Sequence, residues 1–173
     1  MPGDVAVGLA GYPEAHPRIG ADELEASLVT KLASAQTQGL AVHIVTQFCF
    51  DARPIVRWIA WLRGRGIHVP VRVGLAGPTS MSTWMGYARR CGVKASASAL
   101  ANRTGLMSHL FKAISPDAII LELSERAAQG DLTDASAHMY SFGGIDATAR
   151  WLHRVQAGRF ALESEGGFHV NVS

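Results

Sequence analysis

Tyr12 and His16 stand four residues apart in Gly11-Tyr12-Pro13-Glu14-Ala15-His16-Pro17, a turn whose two prolines preset the backbone and restrict the residues before them. An aromatic ring and an imidazole on so rigid a turn lose little entropy on gripping a ligand. Thirty-five positions after Tyr12, Gln47 opens a second polar and aromatic stretch, Gln47-Phe48-Cys49-Phe50-Asp51. The neutral amide of a glutamine can both donate and accept hydrogen bonds. Thr83 and Tyr87, one helical turn apart around Trp84, add a hydroxyl and a ring face. Cys49 has no neighbour in sequence that would lower its pKa, so it is not read as a nucleophile. His43, His68, His109, His138 and His153 show no metal-ligand spacing, and no metal is expected. There is no G-x-G-x-x-G or Walker pattern.

These groups need elements to hold them. Val5 to Ala10 is a short apolar strand that runs into the Tyr12 turn, and Ala41 to Thr46 is a second that empties into Gln47. Between them Leu24, Leu28, Leu32 and Ala35 recur at helical spacing, which predicts a helix over Ala21 to Gln38. Ile55, Val56, Ile59 and Leu62 mark another helix, capped by Asp51, with Pro54 in its first turn and a stop at Gly64 or Gly66. A third strand is expected over Val69 to Leu75, then a helix over Thr79 to Cys91.

Strand, helix, strand, helix, strand with short joints is the rhythm of a parallel sheet, in which ligands sit at the carboxyl ends of the strands. The remainder reads as mostly helical. Ser115-Pro116-Asp117 offers an N-cap, a proline at the first helical position and an early acid. Ile145 to Val155 is helical, Asn102 to Gly105 and Gln129 to Asp134 are loops, and Phe168 to Val172 is the expected fourth strand.

With 173 residues and 48% hydrophobic content the chain is long enough to bury a core. A net charge of +2 without a basic tract argues against nucleic acid. No apolar run approaches a membrane span and no basic-then-apolar leader is read. Two cysteines that form no C-x-x-C pair suit a reducing cytoplasm.

The two strand ends resemble A-x-Y-P-E-x-H-P and I-T-Q-x-F-F-D of the catalytic domain of methylenetetrahydrofolate reductases, a flavin-dependent (βα)8 barrel. The resemblance implies an α/β fold of the TIM-barrel family, with residues 1–173 a single partial domain supplying about the last four strands and their helices. A whole barrel of this type needs about 250 residues. It further implies FAD as cofactor, NADH or NADPH as reductant and a folate as substrate, namely reduction of 5,10-methylenetetrahydrofolate to 5-methyltetrahydrofolate.

On the resemblance, Tyr12 and His16 line the FAD site, and an acid, Asp22 or alternatively Glu23, helps Lys31 hold the adenosine and phosphate portion. Gln47, Thr83 and Tyr87 then contact folate or nicotinamide, Thr83 standing where the family often has glutamine. His169 and Asn171 would fall on the family's D-F-H-F-Y-T-L-N-R ending, its arginine lying beyond Ser173. The family's catalytic acid belongs to a strand of the first half; Glu14, Asp22 and Glu23 do not match it, and no catalytic acid is assigned. Half a barrel exposes two strand edges, so the missing half, self-association or another partner must close it. A non-catalytic half-barrel binding module, a truncated fragment and a different flavin or folate barrel remain the alternatives.

Overall fold

The computed structural model describes residues 6–91, 113–163 and 167–170. Strand β1 (Ala6–Gly11), helix α1 (Ala21–Thr37), strand β2 (Ala41–Cys49), helix α2 (Ala52–Gly64) and strand β3 (Val71–Ala76) follow in the expected order. A two-residue strand β4 (Thr79–Ser80) then leads into helix α3 (Met81–Cys91) and pairs antiparallel with β5 (Ala113–Ile114). Helix α4 (Asp117–Ala128), strand β6 (Ala135–Tyr140) and helix α5 (Ile145–Gln156) come next. A small antiparallel pair, β7 (Ala161–Leu162) and β8 (Phe168–His169), ends the described chain.

The main sheet has the order β1-β2-β3-β6 and is parallel throughout. The result is an α/β fold around a four-stranded parallel sheet. Its fourth strand is β6 and not the Phe168 segment, which pairs only with β7. The apolar Phe168 and Val170 are instead buried against Trp151 of α5 in a second, smaller cluster. Thr79 belongs to β4 and not to the helix. Pro116, not Ser115, holds the cap position of α4, and the Ser115 hydroxyl donates to the Asp117 carboxylate at 2.5 Å. The Asn102 to Gly105 loop, His109 and Asn171 lie outside the described residues.

One face of the sheet carries the core. Ile44 of β2 and Val71, Val73 and Leu75 of β3 meet Leu28 of α1, Ile55, Ile59 and Leu62 of α2, and Ile119 and Leu123 of α4. Each fully buried Ile or Leu contributes roughly 1.5–3 kcal/mol. At Gly11 the absence of a side chain lets α2 settle close to β1, since a Cβ there would stand 2.5 Å from the Trp58 ring and 2.8 Å from Ile44. Asp51 caps α2 as expected, accepting from the Arg53 backbone N–H at 2.9 Å. Arg65, just past α2, bonds Glu25 of α1 at 2.7 Å and lies 4.3 Å over the Trp61 ring, tying the two helices together.

Candidate functional site

The carboxyl end of β2 is irregular, and the irregularity aims Gln47. Ile44 and Val45 pair with Val71 and Arg72, whereas Phe48 and Cys49 pair with Gly74 and Leu75, so one extra residue is bulged out of β2 at Thr46-Gln47. The fully buried Thr46 makes the bulge tenable: its hydroxyl accepts from the Gly74 N–H at 2.8 Å and donates to the Gln47 carbonyl at 2.8 Å. The Tyr140 hydroxyl, reaching across from β6, donates to the Thr46 carbonyl at 3.0 Å. Gly74 must be glycine here, because a Cβ would collide with the Thr46 and Gln47 carbonyls and the Tyr140 ring. The outcome is a Gln47 side chain whose amide nitrogen is buried without a hydrogen-bond partner among the described residues.

Around the same strand ends lies an aromatic cluster. Phe48 is flanked by Phe50, Tyr140 and Phe142 at centroid distances of 5.6, 6.1 and 4.9 Å, and Phe50 meets Trp84 at 4.7 Å. Tyr87 of α3 stacks on Phe142 and is 38% exposed, so one ring face is covered and the other is accessible. Thr83 is differently engaged: its hydroxyl accepts from Ser80 at 2.9 Å and its N–H donates to the Ser80 oxygen at 3.2 Å, which fastens the start of α3.

The Tyr12 to Pro17 turn follows β1 and sits beside the end of β2, with Gly11 in register with Thr46. Tyr12 and His16 are both half-buried and meet edge to face, 5.3 Å between centroids at 85°. His16 Nδ1 accepts the Arg18 N–H at 3.2 Å, so a neutral ring carries its proton on Nε2. Ala15 takes a left-handed φ of 68°, which fits a tight turn. Beneath the turn a cleft of about 270 Å³ opens between α1 and α2, walled by Leu24, Leu28, Trp58 and Trp61. Cys49 links turn and strand: its thiol donates to the Gln47 carbonyl at 3.5 Å and lies close enough to the Glu14 carboxylate to feel its charge. Burial first, then Glu14 and Asp51, push that thiol far up, which keeps it protonated.

Asp22 and Lys31 are exposed on α1, away from these contacts. Their helix is regular, so nine residues place them about 180° apart around its axis, whereas Glu23 and Lys31 are about 80° apart. Tyr140 and Phe142 escape the sequence because β6 is not expected from it, and the role of Thr46 escapes because the bulge shows only in the register with β3. Its His138-Met139-Tyr140-Ser141-Phe142 carries the H-x-Y spacing that Asn171 breaks in the Phe168 segment. Gly144 has φ of 100°, and a side chain at Gly143 would strike the Pro78 carbonyl. Among the described residues no group of three His, Cys, Asp or Glu is placed to hold a metal, and no helix is long and apolar enough to cross a membrane.

Comparison with known proteins gives the same family from two directions. The family model of methylenetetrahydrofolate reductase matches residues 2–134. Methylenetetrahydrofolate reductase 2 of Saccharomyces cerevisiae is 28% identical over 85 residues, a stretch that is 49% of this chain and 13% of the yeast protein. The family match covers well over half of the chain, from before the first strand to the threshold of β6, and by it the chain belongs to the methylenetetrahydrofolate reductase family.

Proposed function

We propose that this chain takes part in the FAD-dependent reduction of 5,10-methylenetetrahydrofolate to 5-methyltetrahydrofolate by NADH or NADPH, as one half of a cytoplasmic (βα)8 barrel. The observation that carries the reading is Gln47: a bulge delivers its amide to the strand ends, beside the aromatic cluster, and leaves the amide nitrogen buried and unpaired. A buried donor without a partner costs about 1–3 kcal/mol, a cost that a bound acceptor removes. A folate or nicotinamide carries amide and ring acceptors suited to it.

The residues present fit the cofactor and the substrate. His16 offers an Nε2–H for an anionic oxygen of FAD, and the Tyr12 ring offers an apolar surface beside it. The open face of Tyr87 suits a flat heterocycle, with Phe142 holding the ring from behind. Thr83, fastened to Ser80, has a shorter reach than glutamine and contributes shape more than a hydrogen bond. Bound at Tyr12 and His16, FAD would supply the hydride-transfer chemistry between the nicotinamide and the one-carbon unit. The chain's own part is to orient both partners at the flavin.

The acid that opens the folate ring is another matter. None of the strands β1, β2, β3 and β6 contains Asp or Glu, and Glu14 lies on the turn after β1, near the buried Cys49 thiol. This favours a second reading, in which the chain by itself binds cofactor without turnover. Absorption between about 350 and 500 nm tests both. The chain titrated with FAD should show a shifted flavin spectrum that Gln47→Leu leaves intact and Tyr12→Ala weakens. NADH-dependent bleaching should require a complementary half that carries a carboxylate. A chain that binds no FAD, alone or with that half, would overturn the assignment.

A further inference from the structure

The sheet has a second face. Gly8 and Ala10 of β1, His43 of β2, Arg72 of β3, and Ser136 and His138 of β6 alternate with the core residues and so point away from the helices. Gly8, Ala10, Arg72 and Ser136 are exposed there, while His43 and His138 are half-buried. His43 lies against β1, where a Cβ on Gly8 would stand 3.1 Å from its Nε2. Arg72 and His138 are near enough to act on its protonation. Arg72 thus stands as a cation on this face beside two imidazoles, with no carboxylate on any of its four strands. Its outer strands, β1 and β6, each have one edge without a neighbouring strand among the described residues.

Three occupants are conceivable, and charge separates them. A second copy would bring another Arg72 guanidinium into the same interior, where like charges are most costly. Residues 92–112 of the chain contain no Asp or Glu and carry Lys94, Arg103 and Lys112, so they offer no counter-charge. We propose that this face docks a partner segment of parallel strands that presents carboxylates to His43, Arg72 and His138. The inference rests on the half-barrel reading above and names what the other half must carry.

A charge-swapped copy tests it. The full chain is mixed with its Arg72→Glu/His138→Glu variant at low salt, and masses are measured by light scattering, with far-UV circular dichroism to verify folding. The single variant Arg72→Glu replaces the double variant if the latter does not fold. The expected result is a 1:1 complex of twice 18.5 kDa in the mixture, about tenfold tighter than either chain with itself and weakened by salt. If the unaltered chain pairs with itself just as tightly, a second copy is the occupant: the acidic partner falls and the half barrel stands. If nothing associates, the proposal falls, and amide exchange at Ala6–Gly11 and Ala135–Tyr140 decides the rest. Slow exchange there means covered edges, and the half-barrel reading falls too. Fast exchange means that only the charge inference was wrong.

Discussion

Tyr87 lies face to face with Phe142, their ring centroids 4.1 Å apart and their planes within 10° of parallel. One ring belongs to α3 and the other follows β6, so the contact fixes where the exposed face of Tyr87 points. Such pairs contribute about 0.5–1.5 kcal/mol beyond area burial. Phe142→Ala should therefore lower stability by about 1–2 kcal/mol in urea unfolding. In a reconstituted enzyme it should raise KM for the folate several-fold while leaving FAD affinity unchanged. An equal loss of FAD affinity would show that Tyr87 does not face the substrate.

Thr46 supports the bulge from within, and the support is removable by one atom. Thr46→Val keeps the volume and the β-branch but leaves the Gly74 N–H unsatisfied in the core. The expected cost is about 1–3 kcal/mol. Gly74→Ala should cost at least as much, since its methyl group meets two carbonyls and a ring. Both variants should weaken folate or nicotinamide binding through Gln47 more than they weaken FAD binding through Tyr12. Ligand titrations on folded variants separate the two.

What sequence could and could not reveal follows from these residues. The two strand-helix units and the third strand up to Leu75 were legible because apolar periodicity, caps and glycine stops agree there. The bulge was not, because Thr46 and Gln47 read as a continuation of the strand and only the partner strand's register exposes the extra residue. Strand β6 was hidden by composition. Ala135-Ser136-Ala137-His138 has weak strand propensity, and its outward positions are polar because that face is not covered by helices. The more apolar Phe168 segment drew the assignment instead, although its hydrophobicity serves packing against Trp151. Tyr12, His16 and Gln47 are candidates from the motifs that hold them, and Tyr87 from alignment with the family. Their supports, Thr46, Tyr140 and Phe142, have no local signature.

Helix geometry separates the two acids of α1. Glu23 and Lys31 share a flank, about 12 Å apart along the axis, whereas Asp22 faces the opposite way from Lys31. A phosphate-bearing cofactor that spans both ends of the flank would feel Lys31 and Glu23. Lys31→Ala should weaken FAD several-fold, Glu23→Ala less, and Asp22→Ala not at all. Flavin fluorescence titrations rank the three. A larger effect of Asp22 than of Glu23 would show that the cofactor crosses α1 on its other side.

His43 gives the fold an acid-side weakness whose sign can be worked out. Partial burial, then Arg72 and His138, hold its pKa below the ordinary imidazole value of 6.5. A proton therefore binds the unfolded chain more readily than the folded one. The associated stability is present above pH 6.5 and is lost as pH falls through the lowered folded value. Urea midpoints of the chain should accordingly fall below pH 6.5 more steeply than those of His43→Gln, which has nothing to protonate there. Arg72→Gln removes one of the causes and should flatten the descent, with His43 moving back toward its ordinary range by NMR titration. Parallel pH profiles for the chain and His43→Gln would mean that His43 lies free of Arg72 and His138. A carboxylate-bearing partner on the same face would reverse the sign: it would stabilise the charged imidazole, raise its pKa, and turn acidification toward pH 6.5 into a gain for the complex.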